Sequence, residues 1–179
     1  MATAPFRSIQ RVYFDDLDAL NILHNVRFFL FIERARGELL NAHGFRWDDD
    51  LTVNPDKYHV IAEHHIRYLR PVRGEGELCV EITPTHLGRT SFTVGARVMS
   101  VDGSVLHAEA TTRLVRLDFA TGKPSPWSPR FRAAFGADDE RQPDEATEEE
   151  DTPIAAPPDP APTERSPSRA PPEGEPHAE

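Results

Sequence analysis

Only one stretch of this chain, residues 26–42, carries a convincing 3.6-residue helical period, and its first half is apolar nearly all round. Phe28, Ile32, Ala35 and Leu39 form the stripe, while Phe29, Leu30 and Phe31 fill the arc between them. A helix of that kind is buried on several sides instead of lying along a surface. The rest of the fold must therefore supply an apolar wall long enough to wrap it. Asn25 reads as the N-cap of this helix and Gly44 as its stop.

The wall is written in period two. Residues 7–14 (RSIQRVYF) alternate loosely and are rich in strand formers. After a loop through Pro55, residues 59–69 form a strand ended by Pro71. Residues 77–85 place Leu78, Val80 and Ile82 on one face, and residues 91–99 do the same with Phe92, Val94, Ala96 and Val98. Residues 105–118 follow, with Leu106, Ala108, Ala110 and Leu114 on one side. The links RGEG (73–76), LGRT (87–90) and DG (102–103) are short and glycine-bearing, which predicts hairpins and an antiparallel meander for the last four strands. The order β-α-β-β-β-β, one helix wrapped by one long curved sheet, defines an α+β architecture of the hotdog type.

Charge divides the chain at about residue 136. Residues 137–179 hold 14 acids, 3 arginines and 10 of the 17 prolines, whereas residues 1–136 hold 16 acids against 17 bases. The net −10 thus belongs to the C-terminal segment, and runs such as DEATEEED (144–151) cannot bury enough apolar surface to offset ordering entropy. The expected organisation is a folded domain over residues 1–136 and a disordered acidic, proline-rich tail over 137–179. A near-neutral body offers no basic surface for nucleic acid. Without an apolar stretch approaching ~20 residues there is no membrane insertion, and MATAPFRS lacks a signal-peptide pattern. The lone Cys79 cannot form an internal bridge and reads as packing on the outer side of its strand. Together these predict a soluble, cytoplasmic protein.

The chemistry-bearing stretch is residues 16–36, DLDALNILHNVRFFLFIERAR. Asp16 and Asp18 precede a tight loop, and then the apolar helix opens. This sets a carboxylate beside the backbone N–H groups of a helix N-terminus, which can hold a developing oxyanion on a carbonyl substrate. Asp15, Asp16 and Asp18 sharing one site would resist simultaneous ionisation. Glu33 and Arg36 stand at i,i+3 and read as a structural pair. Glu63, His64 and His65 alternate between the two faces of a strand, so no metal site is expected.

The stretch resembles the signature of the 4-hydroxybenzoyl-CoA thioesterase family of hotdog acyl-CoA thioesterases. The match runs through Asp16, Asp18, Ala19, Asn25, Phe28, Glu33, Ala35 and Arg36, and YLRP (68–71) and GRTSF (88–92) fall where that family carries similar strings. The resemblance covers residues 6–126 and none of the tail. It implies hydrolysis of an acyl-coenzyme A thioester with Asp18 as general base or nucleophile. It also implies a carbonyl polarised by the helix start near Asn25 and Val26, and Arg89, Thr90 and Ser91 as contacts for pantetheine or phosphate. No cofactor is implied, coenzyme A being part of the substrate, and two or four copies are expected to assemble as a homodimer or homotetramer. Three positions depart from the pattern: Asn21 replaces a glycine, Asn25 a histidine, and Phe14 stands beside Tyr13 where some members carry a catalytic tyrosine. Asn tolerates positive φ, but Asn25 is neither acid nor base. A non-catalytic acyl-thioester-binding or partner-docking module is therefore the alternative reading.

Overall fold

The computed structural model describes residues 4–136, so the predicted tail lies outside the described residues. Strand β1 spans Phe6–Val12, helix α1 Asn25–Ala42, β2 His59–Tyr68, β3 Gly76–Leu87, β4 Ser91–Ser100, β5 Leu106–Arg116 and helix α2 Pro129–Phe135. All five strands form one antiparallel sheet in the order β1-β3-β4-β5-β2. The sheet's apolar face, including Val80, Ile82, Val94, Ala96 and Val98, joins Phe28, Phe31, Ile32, Ala35 and Leu39 of α1 in one core. Phe31 and Ala35 are wholly buried. Cys79 points to the other face, buried, with Arg7 Nε donating to its Sγ at 3.3 Å.

The four-strand meander expected from the links is corrected by this topology. Strands β3, β4 and β5 do form it, but β2 crosses the sheet to pair with β5 at the far edge. The RGEG link does not turn on itself, because its residues are engaged elsewhere. Arg73 bridges Ile22, and the Gly74 amide donates to Asn21 O at 3.1 Å. The all-round burial expected of α1 is also incomplete within one chain: Val26 is 54% and Phe29 37% exposed. Gly44, at φ 81°, follows the helix end in the left-handed region and stops it as expected.

Helix α2 was not anticipated, although its start is marked by Ser128 followed by Pro129. Ser128 Oγ accepts the Phe131 amide at 3.1 Å, and the helix adds Phe131 to a cluster with Trp127, Phe92 and Phe45. Its anchor is the buried Asp56, which accepts the Ser128 amide at 2.9 Å and the Ser128 hydroxyl, and pairs with Arg116 Nε at 3.1 Å. His59 Nδ1 donates to the Asp56 carbonyl at 2.7 Å, and burial pushes the imidazole down to about 4. Folding therefore favours neutral His59, while the unfolded chain takes up its proton near 6.5. This stability is complete above pH 6.5 and is lost as pH falls toward 4, up to about 3 kcal/mol. The melting temperature of the wild type should fall over that window more steeply than that of His59→Gln, and parallel profiles would refute the assignment.

Candidate active site

The segment between β1 and α1 is folded into turns that separate its three aspartates. A 3-10 turn over Phe14–Asp16 buries Asp16, whose Oδ2 accepts the Tyr13 amide at 2.8 Å and whose Oδ1 lies 3.1 Å from Arg27 Nε. Asp15 stays exposed, 3.8 Å from the same guanidinium. Asp18 sits in a second turn: its Oδ1 accepts the amides of Leu20 at 2.8 Å and Ile22 at 3.0 Å. Its own amide donates to Ile22 O at 2.8 Å. Asp15 and Asp16 therefore share Arg27 while Asp18 has partners of its own, and the single site of three carboxylates expected from their spacing does not form. Asp18 Oδ2 has no hydrogen bond among the described residues. Asn21 adopts φ 57°, the sole positive φ of a non-glycine among the described residues. Asparagine does serve the turn at the position where glycine was expected.

Asp18 lines an open cleft of about 450 Å³ together with Ile22, Leu23, His24, Asn25 and Phe28 on one side and residues 68–72 on the other. That volume lies in the range of small-molecule sites. The loop is stitched to the far wall by Leu23 N to Val72 O at 3.0 Å, beside the contacts of Arg73 and Gly74. Tyr68, at the end of β2, crosses to α1: its hydroxyl donates to Asn25 O at 3.3 Å and its ring meets Phe28 edge-on, centroids 5.3 Å apart. Burial raises the Tyr68 phenol above its usual range.

Of the residues singled out in the sequence, Asp18 and Asn25 are brought together in this cleft. Asn25 is the first residue of α1, not its cap; the cap is His24, whose Nδ1 accepts the Val26 amide at 3.4 Å. Val26 begins the same turn with an exposed side chain. Arg89, Thr90 and Ser91 form the β3–β4 hairpin and are not among the lining residues; Arg89 O accepts from Trp127 N at 3.1 Å and Thr90 O from Arg116 N at 2.9 Å. Glu33 pairs with the buried Arg36 as the i,i+3 spacing predicts. Tyr68 was missed as a cleft residue, and His24, which the sequence favours as polar packing over a catalyst, lines the cleft as well. The aromatic residue closing a strand just before Pro71 was the available signal for Tyr68. Among the described residues no group of three or more His, Cys, Asp or Glu is placed to hold a metal ion, and no helix is long and apolar enough to cross a membrane.

Comparison with known proteins places the chain among thioesterases of the same fold. The sequence profile of the Thioesterase superfamily matches residues 20–107. The Acyl-CoA thioester hydrolase YbgC of Escherichia coli is 28% identical over 124 residues, 69% of this chain and 90% of the relative. A Thermus thermophilus thioesterase crystallised with coenzyme A and Zn superposes with a TM-score of 0.59 at 28% identity, over 73% of this chain and 94% of its own. A 1,4-dihydroxy-2-naphthoyl-CoA thioesterase from Synechocystis superposes at 0.67 with 18% identity, over 76% and 98%, which speaks to the fold alone. Sheet order, wrapped helix and cleft define a hotdog-fold protein. The profile match and these relatives make the chain a hotdog-fold thioesterase, a thioester hydrolase.

Proposed function

We propose that the substrate is an acyl-coenzyme A thioester, hydrolysed to free acid and coenzyme A in the cleft of Asp18. The carrying observation is the Asp18 carboxylate itself. One oxygen is locked by two amides and the other is left for substrate or water, at the start of α1. Asp18 acts on the thioester carbonyl as general base for water or as nucleophile, and the first turn at Asn25 and Val26 polarises the carbonyl. Thioesters are already reactive acyl donors, so the reaction needs neither metal nor redox cofactor. The names and contents of the Escherichia coli and Thermus relatives support coenzyme A as the carrier. The lone buried Cys79 suits the reducing cytoplasm. A panel of acyl-CoAs followed by free-thiol release tests the reading. Turnover of at least one is expected, and binding without turnover of any would favour a docking module.

The second part of the proposal is a homodimer. Strand β2 pairs on one side only, and beside it Val26 and Phe29 of α1 are exposed, Phe29 packing on His64 of the strand at 4.4 Å. A free edge beside apolar surface invites pairing with a second copy. The register shift between Ile61 and Glu63 restricts an uninterrupted ladder to residues 63–68. Arg89, Thr90 and Ser91 then contact pantetheine or phosphate through a site shared between copies. Light scattering at micromolar concentration should give a dimer or larger. A clean monomer retaining turnover would refute this arrangement.

A further inference from the structure

The cleft holds one imidazole with a ring nitrogen engaged by a backbone amide. His24 lines the cleft with Asp18 and is exposed to it. Its backbone is fixed, the amide donating to Asp16 O at 3.0 Å and the carbonyl accepting from Arg27 N at 2.9 Å. Its Nδ1 accepts the Val26 amide at the head of α1. A nitrogen that accepts carries no proton, which leaves the ring hydrogen on Nε2. Protonating Nδ1 would set two donors against each other beside the positive end of the helix dipole.

The other lining groups are placed for different work. The Tyr68 hydrogen is committed to Asn25 O. Arg70 lines the far wall beyond Tyr68, and its guanidinium does not release a proton. Asn25 has an amide that cannot exchange one. Asp18 is the base. The cleft therefore contains a carboxylate and, on the same loop, an imidazole with a free N–H.

We propose that His24 is a further catalytic residue of the hydrolysis, its Nε2–H donating a hydrogen bond to the thioester carbonyl oxygen as negative charge develops there. The inference rests on the thioesterase reading of the same cleft. As water adds to the carbonyl carbon and Asp18 takes its proton, the C=O π pair moves onto oxygen, where Nε2–H and the first turn of α1 receive it. The oxygen pair then reforms the carbonyl and the C–S bond breaks, with the Asp18 proton passing to the thiolate. His24 keeps its proton throughout and changes no charge.

The test separates this role from capping. His24→Asn keeps an N-cap acceptor and removes the distant N–H. Loss of one oxyanion donor lowers kcat about 10²–10³-fold. The expected result is that loss in kcat on an acyl-CoA that the wild type hydrolyses, with KM and melting temperature nearly unchanged. The wild-type rate should also persist as the pH is raised from neutrality, since the donor keeps its proton throughout. A His24→Asn enzyme with unchanged kcat, or with the loss confined to KM, overturns the assignment. A wild-type rate that is lost on raising the pH, with no such loss in the residual rate of His24→Asn, overturns it in favour of an acid role. A wild type that hydrolyses no acyl-CoA removes the thioesterase reading itself, an outcome visible before any variant is made.

Discussion

Asp18→Asn should lower kcat on acyl-CoA about 10²–10⁴-fold, the contribution of one positioned general base, or about 3–5 kcal/mol of barrier. Its melting temperature should be unchanged. The substitution is mild for the fold because the bonds to Leu20 and Ile22 both run to Oδ1, which asparagine retains. What changes is the other oxygen, which accepts no hydrogen bond among the described residues. Two neighbouring carboxylates serve as controls with the opposite signature. Asp16→Asn weakens the pair with Arg27, and Glu33→Gln leaves the Arg36 guanidinium, 3% exposed, without its counter-charge. Burial already pushes Arg36 below its usual range. Both should lower the melting temperature more than they lower kcat. If Asp18→Asn stays active while Glu33→Gln is dead, the helix acid is the catalyst.

Asp56→Ala should have the largest effect on stability, about 3–5 kcal/mol, because it strips the partner from a charge in a buried pair. The side chain of Asp56 is 2% exposed and that of Arg116 14%. The same substitution removes the acceptor for the Ser128 amide and hydroxyl and so unties α2 from the loop before β2. Asp48→Ala is the matched control. Its bidentate pair with Arg46 has normal hydrogen-bond geometry at 2.7–2.9 Å, yet both groups are exposed, and such pairs contribute about 0–1 kcal/mol. Chemical denaturation of the two variants decides between burial and geometry. Equal losses would mean that the Asp56 cluster is ornamental.

The sequence carries the elements of this fold more clearly than their neighbours. Alternation of apolar residues located every strand, since period two is set by the backbone itself. It could not say that β2 pairs with β5, because Gly74 and Gly76 look the same in a hairpin as in a link pinned to Asn21. The helix was legible from its stripe, but its cap shifted by one residue. Asparagine is the better cap by propensity, and His24 prevails because its backbone is held to Asp16 and Arg27. Asp18 was legible through the family signature, as was the positive φ at Asn21. The far wall of the cleft was not, since Tyr68 and Val72 reach Asn25 and Leu23 only through tertiary contacts.

The stitching of the Asp18 loop to residues 72–74 divides the molecule's turns into those open to engineering and those closed to it. The turn at Ser100–Val105 is satisfied by its own residues, chiefly the Asp102 carboxylate and the hydroxyls of Ser100 and Ser104. A peptide tag or fluorophore spliced there lengthens a loop whose outside contact is a long one, from the exposed Arg7 Nη2 to Val101 O at 3.4 Å. The same splice at Gly74 would withdraw the partners of Asn21 and Ile22 and unpick one wall of the cleft. A library of insertions scored for turnover should therefore find a permissive window around Asp102 and a forbidden one around Gly74, though both are glycine turns on the surface.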